Sequence, residues 1–242
     1  MSFAAAAAHA GQRVELNAAF SPNRLGAATT IEFGFHVSGS TAMVPSPVVG
    51  VDLYLPAGMG LVSSTLGLAV CQPARLLTLG LEGCPANARV GYGTAVGELS
   101  AGGEVVEDAA TVQSVLGPNI HHHEQILFYV RSNGPVSAEL IFSGELLPAA
   151  SAAFSSHLDT SVPVVPAWPN GPYVAVTNFS STLGPRGLTY YRHVGDAIVP
   201  FRPKGISVPS RCPAGGFPFL ATLSFLDGSS VKARHLVPCP AS

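Results

Sequence analysis

Charge is scarce in this chain. Only 11% of its 242 residues are charged, 12 Lys and Arg against 14 Asp and Glu, which leaves a net charge of −2 at neutral pH. That balance offers no basic face for phosphate groups, so neither nucleic acid nor an anionic membrane surface is an expected partner. A surface so poor in charge suits a protein that lives outside the cell or packs against neighbours. Long apolar runs are missing too. No stretch approaches the ~18 uninterrupted apolar residues of a spanning helix, and no transmembrane segment is expected.

The signatures of catalysis are equally thin. No Gly-x-Ser-x-Gly elbow occurs, and a serine meeting His193 and Asp196 is a coincidence that most chains of this length can offer. Gly91-Tyr92-Gly93-Thr94-Ala95-Val96-Gly97 lacks the spacing of a dinucleotide-binding turn and has no helix after it, so it reads as a strand with turn glycines. His123-Glu124 is followed by Leu127 where a helical zinc-protease motif needs a second histidine. A cupin-like His-x-His reading fails for want of a Glu at the expected interval. There is no internal repeat and no Cys-x-x-Cys.

Glycine and proline are abundant, 26 and 21 residues, and β-branched runs lie between them. Turns recur too often for long helices, so most of the chain is expected to be short strands. Arg13 to Phe20, Thr29 to Ser38 and Val48 to Leu55 are strand-length segments, separated by Ser21-Pro22-Asn23 and Pro45-Ser46-Pro47. In Ile31, Phe33, Phe35 and Val37 every second residue is apolar, which buries one face and turns Glu32 and His36 outward. The expected class is all-β: one or two antiparallel β-sandwiches, Ig-like, with two local disulfides. Two divisions stay open: a sandwich over 11–115 followed by a second half over 116–242, or one continuous β domain over 11–242.

Four cysteines form two local pairs, Cys71 with Cys84 and Cys212 with Cys239. Closing the two shorter loops costs less chain entropy than the other connectivities. Buried free thiols are the alternative. Residues 1–10 end in Ala8-His9-Ala10, the small-x-small form of an export cleavage site, and read as the tail of a signal peptide or as a disordered terminus.

Hairpin registers follow from which residues must face inward, because a one-residue slip swaps the faces. Around Asn133-Gly134 the pattern pairs Ile126 with Phe142, Phe128 with Leu140 and Val130 with Ala138, which requires an odd-length loop or a bulge. Around Asp227-Gly228 it pairs Phe225 with Val231, Leu223 with Ala233 and Phe219 with Val237, with Cys239 opposite Phe217. Thr222 and Ser224 then stand opposite Arg234 and Lys232. The segment from Leu147 to Pro172 is expected to hold an extended edge strand, with an interdomain connection as the alternative.

Two constellations could carry function. In an extended strand His121 and His123 share a face, and the first hairpin register sets Glu145 opposite His123, so the three could hold a divalent metal with positions left open. The plainer reading is a solvated strand end with no cofactor. Trp168, Tyr190 and Tyr191, if exposed together, would form a stacking surface for sugar or peptide. Core filling is the plainer role for the phenylalanines around them. Asn178-Phe179-Ser180 matches a glycosylation sequon.

Ser21-Pro22-Asn23, Thr29-Thr30-Ile31-Glu32-Phe33 and the run from Leu53 to Leu61 together resemble the start of Ig-like repeats in bacterial surface proteins. The ending, from Tyr190-Tyr191-Arg192 through Arg202-Pro203-Lys204-Gly205 and Arg211 to Phe219 up to Val237-Pro238-Cys239-Pro240, resembles uncharacterised exported proteins of high-GC bacteria. The resemblance implies export and a β-sandwich, and it brings no activity with it. The expectation is therefore a secreted or cell-envelope module with a binding, adhesion or structural role, whose partner is an envelope component, a carbohydrate or a protein. The alternative is a metal-assisted hydrolase using His121, His123 and Glu145.

Overall fold

The structure is a computed structural model that describes residues 11–39, 44–61, 69–202 and 205–240. The signal-peptide reading of residues 1–10 falls outside them. The described residues form fifteen strands and one short helix: β1 Arg13–Ser21, β2 Ala28–Ser38, β3 Val48–Pro56, β4 Gly60–Leu61, α1 Pro73–Leu79, β5 Arg89–Ala101, β6 Glu104–Leu116, β7 Glu124–Ser132, β8 Ala138–Pro148, β9 Phe154–Ser161, β10 Ala175–Leu183, β11 Tyr190–Val194, β12 Ala197–Phe201, β13 Ile206–Ser207, β14 Phe217–Phe225 and β15 Ser230–Val237. The antiparallel all-β class expected from the turn spacing is present. It takes the form of one continuous, nearly closed sheet, ordered β15-β14-β3-β9-β8-β7-β6-β5-β10-β2, with β1 paired to the outer side of β2. Strands from before and after residue 116 alternate within it: β3 lies between β14 and β9, and β10 between β5 and β2.

The sheet returns on itself where β1 lies along β15. No ladder joins these two strands. Instead Gln12 Nε2 donates to Asp227 Oδ2 at 2.9 Å at one end of the seam, and Asn23 Nδ2 donates to the Pro238 carbonyl at 3.0 Å at the other. Behind the seam Phe20 packs on Phe217 and Phe219, with ring centroids 5.4 and 5.7 Å away. Alternation decides what faces inward. Ile31, Phe33, Phe35 and Val37 of β2 and Phe217, Phe219, Ala221, Leu223 and Phe225 of β14 are buried in one core. Glu32 and His36 on β2, Ser224 on β14, and Lys232 and Arg234 on β15 face away from it. Apolar side chains inside and polar ones outside is the reverse of a transmembrane barrel, whose lipid-facing side is the apolar one.

Both hairpins keep the expected faces but slide by two residues. Phe128 pairs with Phe142 and Val130 with Leu140, so Ile126 meets Gly144 in place of Phe142. The loop is odd-length as expected, running from Ser132 to its partner Ala138. It is organised on Ser132, whose Oγ accepts from the Gly134 N–H at 3.1 Å, and Val136 turns inward. In the terminal hairpin Phe217 pairs with Val237 and Leu223 with Val231, so Thr222 faces Lys232 and Leu220 faces Arg234. Here Gly228, at φ 83°, is the last residue of the turn, and its N–H donates to the Phe225 carbonyl at 2.9 Å. Only glycine takes that left-handed position without strain, and this moves the centre of the turn to Asp227.

Both expected disulfides are present, Cys71–Cys84 with Cα atoms 4.9 Å apart and Cys212–Cys239 with 5.8 Å. The first closes a loop carrying α1 and one short 3₁₀ turn, Gly80–Gly83, over the outside of the sheet, where Leu76 is buried against Val115, Leu127 and Tyr129. The second ties the chain just before β14 to the chain just after β15, at the base of the terminal hairpin. The edge strand expected between Leu147 and Pro172 is instead β9, which is paired on both sides, with β3 and β8. The ladder tolerates it there because Pro163, Pro166, Pro169 and Pro172 all follow the strand.

Candidate ligand cavity

The expected metal residues do not converge. His121 and His122 have φ of 50° and 69°, and they sit in a tight turn in which the Ile120 N–H donates to the His123 carbonyl and the His123 N–H to the Ile120 carbonyl. A turn replaces the extended strand, so His121 and His123 no longer share a face. The two-residue slide also sets Glu145 opposite Gln125, away from His123. What remains is His121 Nδ1 3.6 Å from Glu145 Oε1, on an imidazole that is 84% exposed. A contact that long and that wet contributes little. Among the described residues no three His, Cys, Asp or Glu side chains are grouped as metal ligands.

Nor do the three aromatics form one surface. Tyr190 is fully buried, and its hydroxyl donates to the Arg89 carbonyl at 2.6 Å; burial raises its pKa to about 12. Tyr191 is exposed on the separate β11–β12 hairpin, held by Asn87 through its backbone N–H and carbonyl. Trp168 is exposed near the other end of the barrel, and its indole lies so close to Gly171 that a Cβ there would stand 2.6 Å from it. The glycine is what lets the ring fold down.

The interior of the sheet holds a site that strand patterning did not single out. Along β1, β2 and β14 the inward side chains are buried, whereas Val130, Leu140, Phe142, Val176 and Phe179 face the same interior and keep part of their surface accessible. Between these walls lies an apolar cavity of about 130 Å³. A smaller one of about 40 Å³ continues it toward the other end of the barrel, with Phe33, Leu53 and Leu158 lining both. A dry, apolar cavity of about 150 Å³ is large enough for benzene, so this one suits a compact apolar group.

Its cover follows from the topology. β9 and β10 are separated by β8, β7, β6 and β5 going one way round the sheet, and by β3, β14, β15, β1 and β2 going the other. Residues 162–174, which join them, therefore cross the end of the barrel. Val162 is anchored by its N–H to the Val49 carbonyl at 3.0 Å, and the strap doubles back with the Val174 N–H on the Val165 carbonyl at 2.8 Å. Val162, Pro163, Val164, Val165 and Val174 form the cavity roof. Val174 packs over Gly97, where any Cβ would collide with it. From Thr160 to Pro185 the chain has no charged side chain, so the strap can lie on an apolar mouth with no ion to desolvate.

Among the described residues one ionisable side chain lines this cavity, Asp108 of β6, which is 6% exposed. Its Oδ1 accepts from Ser132 Oγ at 2.6 Å, and Ser132 Oγ in turn accepts from the Gly134 N–H. Gly134 is tight against Asp108, and a Cβ there would collide with the carboxylate. The sequence did carry a signal: Asp108, Ala110 and Val112 alternate along β6 and share the inward face. No protein-family model matches the chain, and no curated protein or solved structure matches it.

Proposed function

We propose that this chain is a secreted or cell-envelope binding module that holds a small apolar molecule inside its sheet. The cavity beneath the 162–174 strap carries the reading: it is apolar, lined from several strands, and set at the barrel end that the strap crosses. Ligand sites are characteristically concave and apolar with a few convergent polar groups, and here Asp108, Ser132 and Thr160 are those groups. Export is supported by the two disulfides, which form and persist in oxidising compartments. The low-charge composition agrees with it. The Ig-like and high-GC exported-protein resemblances belong to the same reading.

The test is thermal unfolding with toluene, a probe matched to the cavity. A ligand that binds only the folded state raises Tm progressively with its concentration. Ala110→Phe, which fills the space from β6, is expected to abolish that shift while the protein still unfolds cooperatively. An unchanged Tm across the toluene series, or the same rise in the filled variant, overturns the proposal.

A further inference from the structure

An apolar cavity needs no carboxylate, and burying one is expensive unless it is hydrogen-bonded or paired. Asp108 is more than nine-tenths buried, and Ser132 Oγ is the one side-chain donor it has among the described residues. Among the described residues no Lys, Arg or His lines the cavity with it. An Asn at the same place would pack equally well at lower cost, so core filling alone does not account for an acid there.

Three features hold the carboxylate as an acceptor. Its strand is central, bonded to β5 through Gly97 opposite Asp108 and to β7 on the other side. Ser132 occupies Oδ1, and its own hydroxyl is held by the Gly134 N–H, so the serine donates to the acid and is not free to serve a ligand as donor. Below Asp108 on the same strand, Ala110 and Val112 lead into the apolar part of the cavity toward Phe128 and Phe142. Among the described residues the lining thus carries its charge at one point, with Ser132 and Thr160 the neutral polar groups and apolar side chains making up the rest.

We infer that Asp108 is the recognition group of this cavity, and that its ligand class is a compact apolar body bearing one hydrogen-bond donor, an alcohol or an amine. The apolar body lies against Phe128, Phe142 and Phe179, and the donor reaches the Asp108 carboxylate. Anionic ligands are disfavoured, because a second carboxylate would face Asp108 with no cation between them. This rests on the cavity-binding proposal above and adds the head-group chemistry to it.

The experiment compares toluene, benzyl alcohol, benzylamine and benzoate, which share one ring and differ in the head group, by titration followed with amide NMR shifts on the wild-type protein. Benzyl alcohol and benzylamine are expected to bind about tenfold or more tighter than benzoate, the scale of one charge-assisted hydrogen bond. Benzylamine binding far above benzyl alcohol identifies the donor as a cation; equal binding identifies it as a neutral hydroxyl or amine. Asp108→Asn, nearly the same shape, is expected to keep toluene affinity and lose the discrimination against benzoate. The wild-type series stands by itself should that variant fold poorly. Toluene binding with no dependence on head group overturns this inference and leaves the cavity proposal intact, whereas failure of all four ligands overturns the cavity proposal itself. Shifts confined to Trp168 or Tyr191, away from the cavity walls, also overturn it, in favour of an aromatic surface.

Discussion

The β1–β15 seam is where the barrel closes without a ladder, so its strength must come from side chains. Two hydrogen bonds join it, Gln12 to Asp227 and Asn23 to the Pro238 carbonyl, and both are exposed. A typical protein hydrogen bond contributes about 0.5–1.5 kcal/mol net. Phe20, by contrast, is 6% exposed and packs on Phe217 and Phe219 in edge and tilted geometry. Truncating a buried Phe to Ala costs about 3–5 kcal/mol through lost transfer energy and the cavity left behind. Phe20→Ala is therefore expected to destabilise the protein by more than Gln12→Ala and Asn23→Ala combined. The strand should remain attached, because its ladder to β2 runs from Arg13 opposite Ser38 to Ser21 opposite Thr30. Urea unfolding gives the magnitude from the midpoint at unchanged m. Hydrogen exchange locates the effect, with faster exchange in the β14–β15 ladder behind the seam and little change across the β1–β2 ladder. A loss below about 1 kcal/mol, or one matched by the two polar substitutions together, would refute the claim that aromatic packing holds the seam closed.

Intact-mass measurement with an alkylating agent is expected to find no reactive thiol before reduction and four after it, since Cys71–Cys84 and Cys212–Cys239 are both formed. On the loop-entropy model, replacing the Cys212–Cys239 pair by serines removes about 3.5 kcal/mol and replacing Cys71–Cys84 about 3 kcal/mol; the reverse order in urea titration would contradict the simple entropic account. Tyr190, whose pKa burial pushes up to about 12, holds its proton more tightly when folded than an exposed tyrosine does. The stability from that neutral, buried phenol is fully present below about pH 10 and is lost as the pH rises from there toward 12. Tyr190→Phe should flatten that alkaline decline in a pH series of thermal melts and, by leaving the Arg89 carbonyl without its donor, lower stability at neutral pH by about 1–3 kcal/mol. An alkaline decline of unchanged steepness in the variant would assign it to other groups.

Local pattern carried much of this fold. Period-two alternation in Ile31 to Val37 and in Phe217 to Phe225 is set by backbone geometry alone, so the inward faces were legible residue by residue. The cysteine pairing was legible because the shorter loop closures are favoured over the longer ones. Parity survives a two-residue slide, which is why face and loop parity could be read in both hairpins and register could not. Register depended on Ser132 organising one turn and on Gly228 taking the left-handed position in the other. The histidine turn shows the same limit: two positive-φ residues, His121 and His122, separate side chains that an extended strand would have aligned.

The cavity lay beyond any local reading. Asp108 on an apolar face of β6 and the uncharged run from Thr160 to Pro185 are visible in sequence, yet neither shows that the two belong together. They meet only because β9 and β10 stand across the barrel from one another, so that their connection must span its mouth. The sequence by itself determined the all-β class, the inward and outward faces of β2 and of the two hairpins, and the disulfide pairs, since each rests on neighbours along the chain or on the short loops between them. Tertiary structure alone decided the registers, the ladderless closure of β1 on β15, and the space left inside, because these depend on how many strands complete the ring and on what volume their inward side chains leave unfilled.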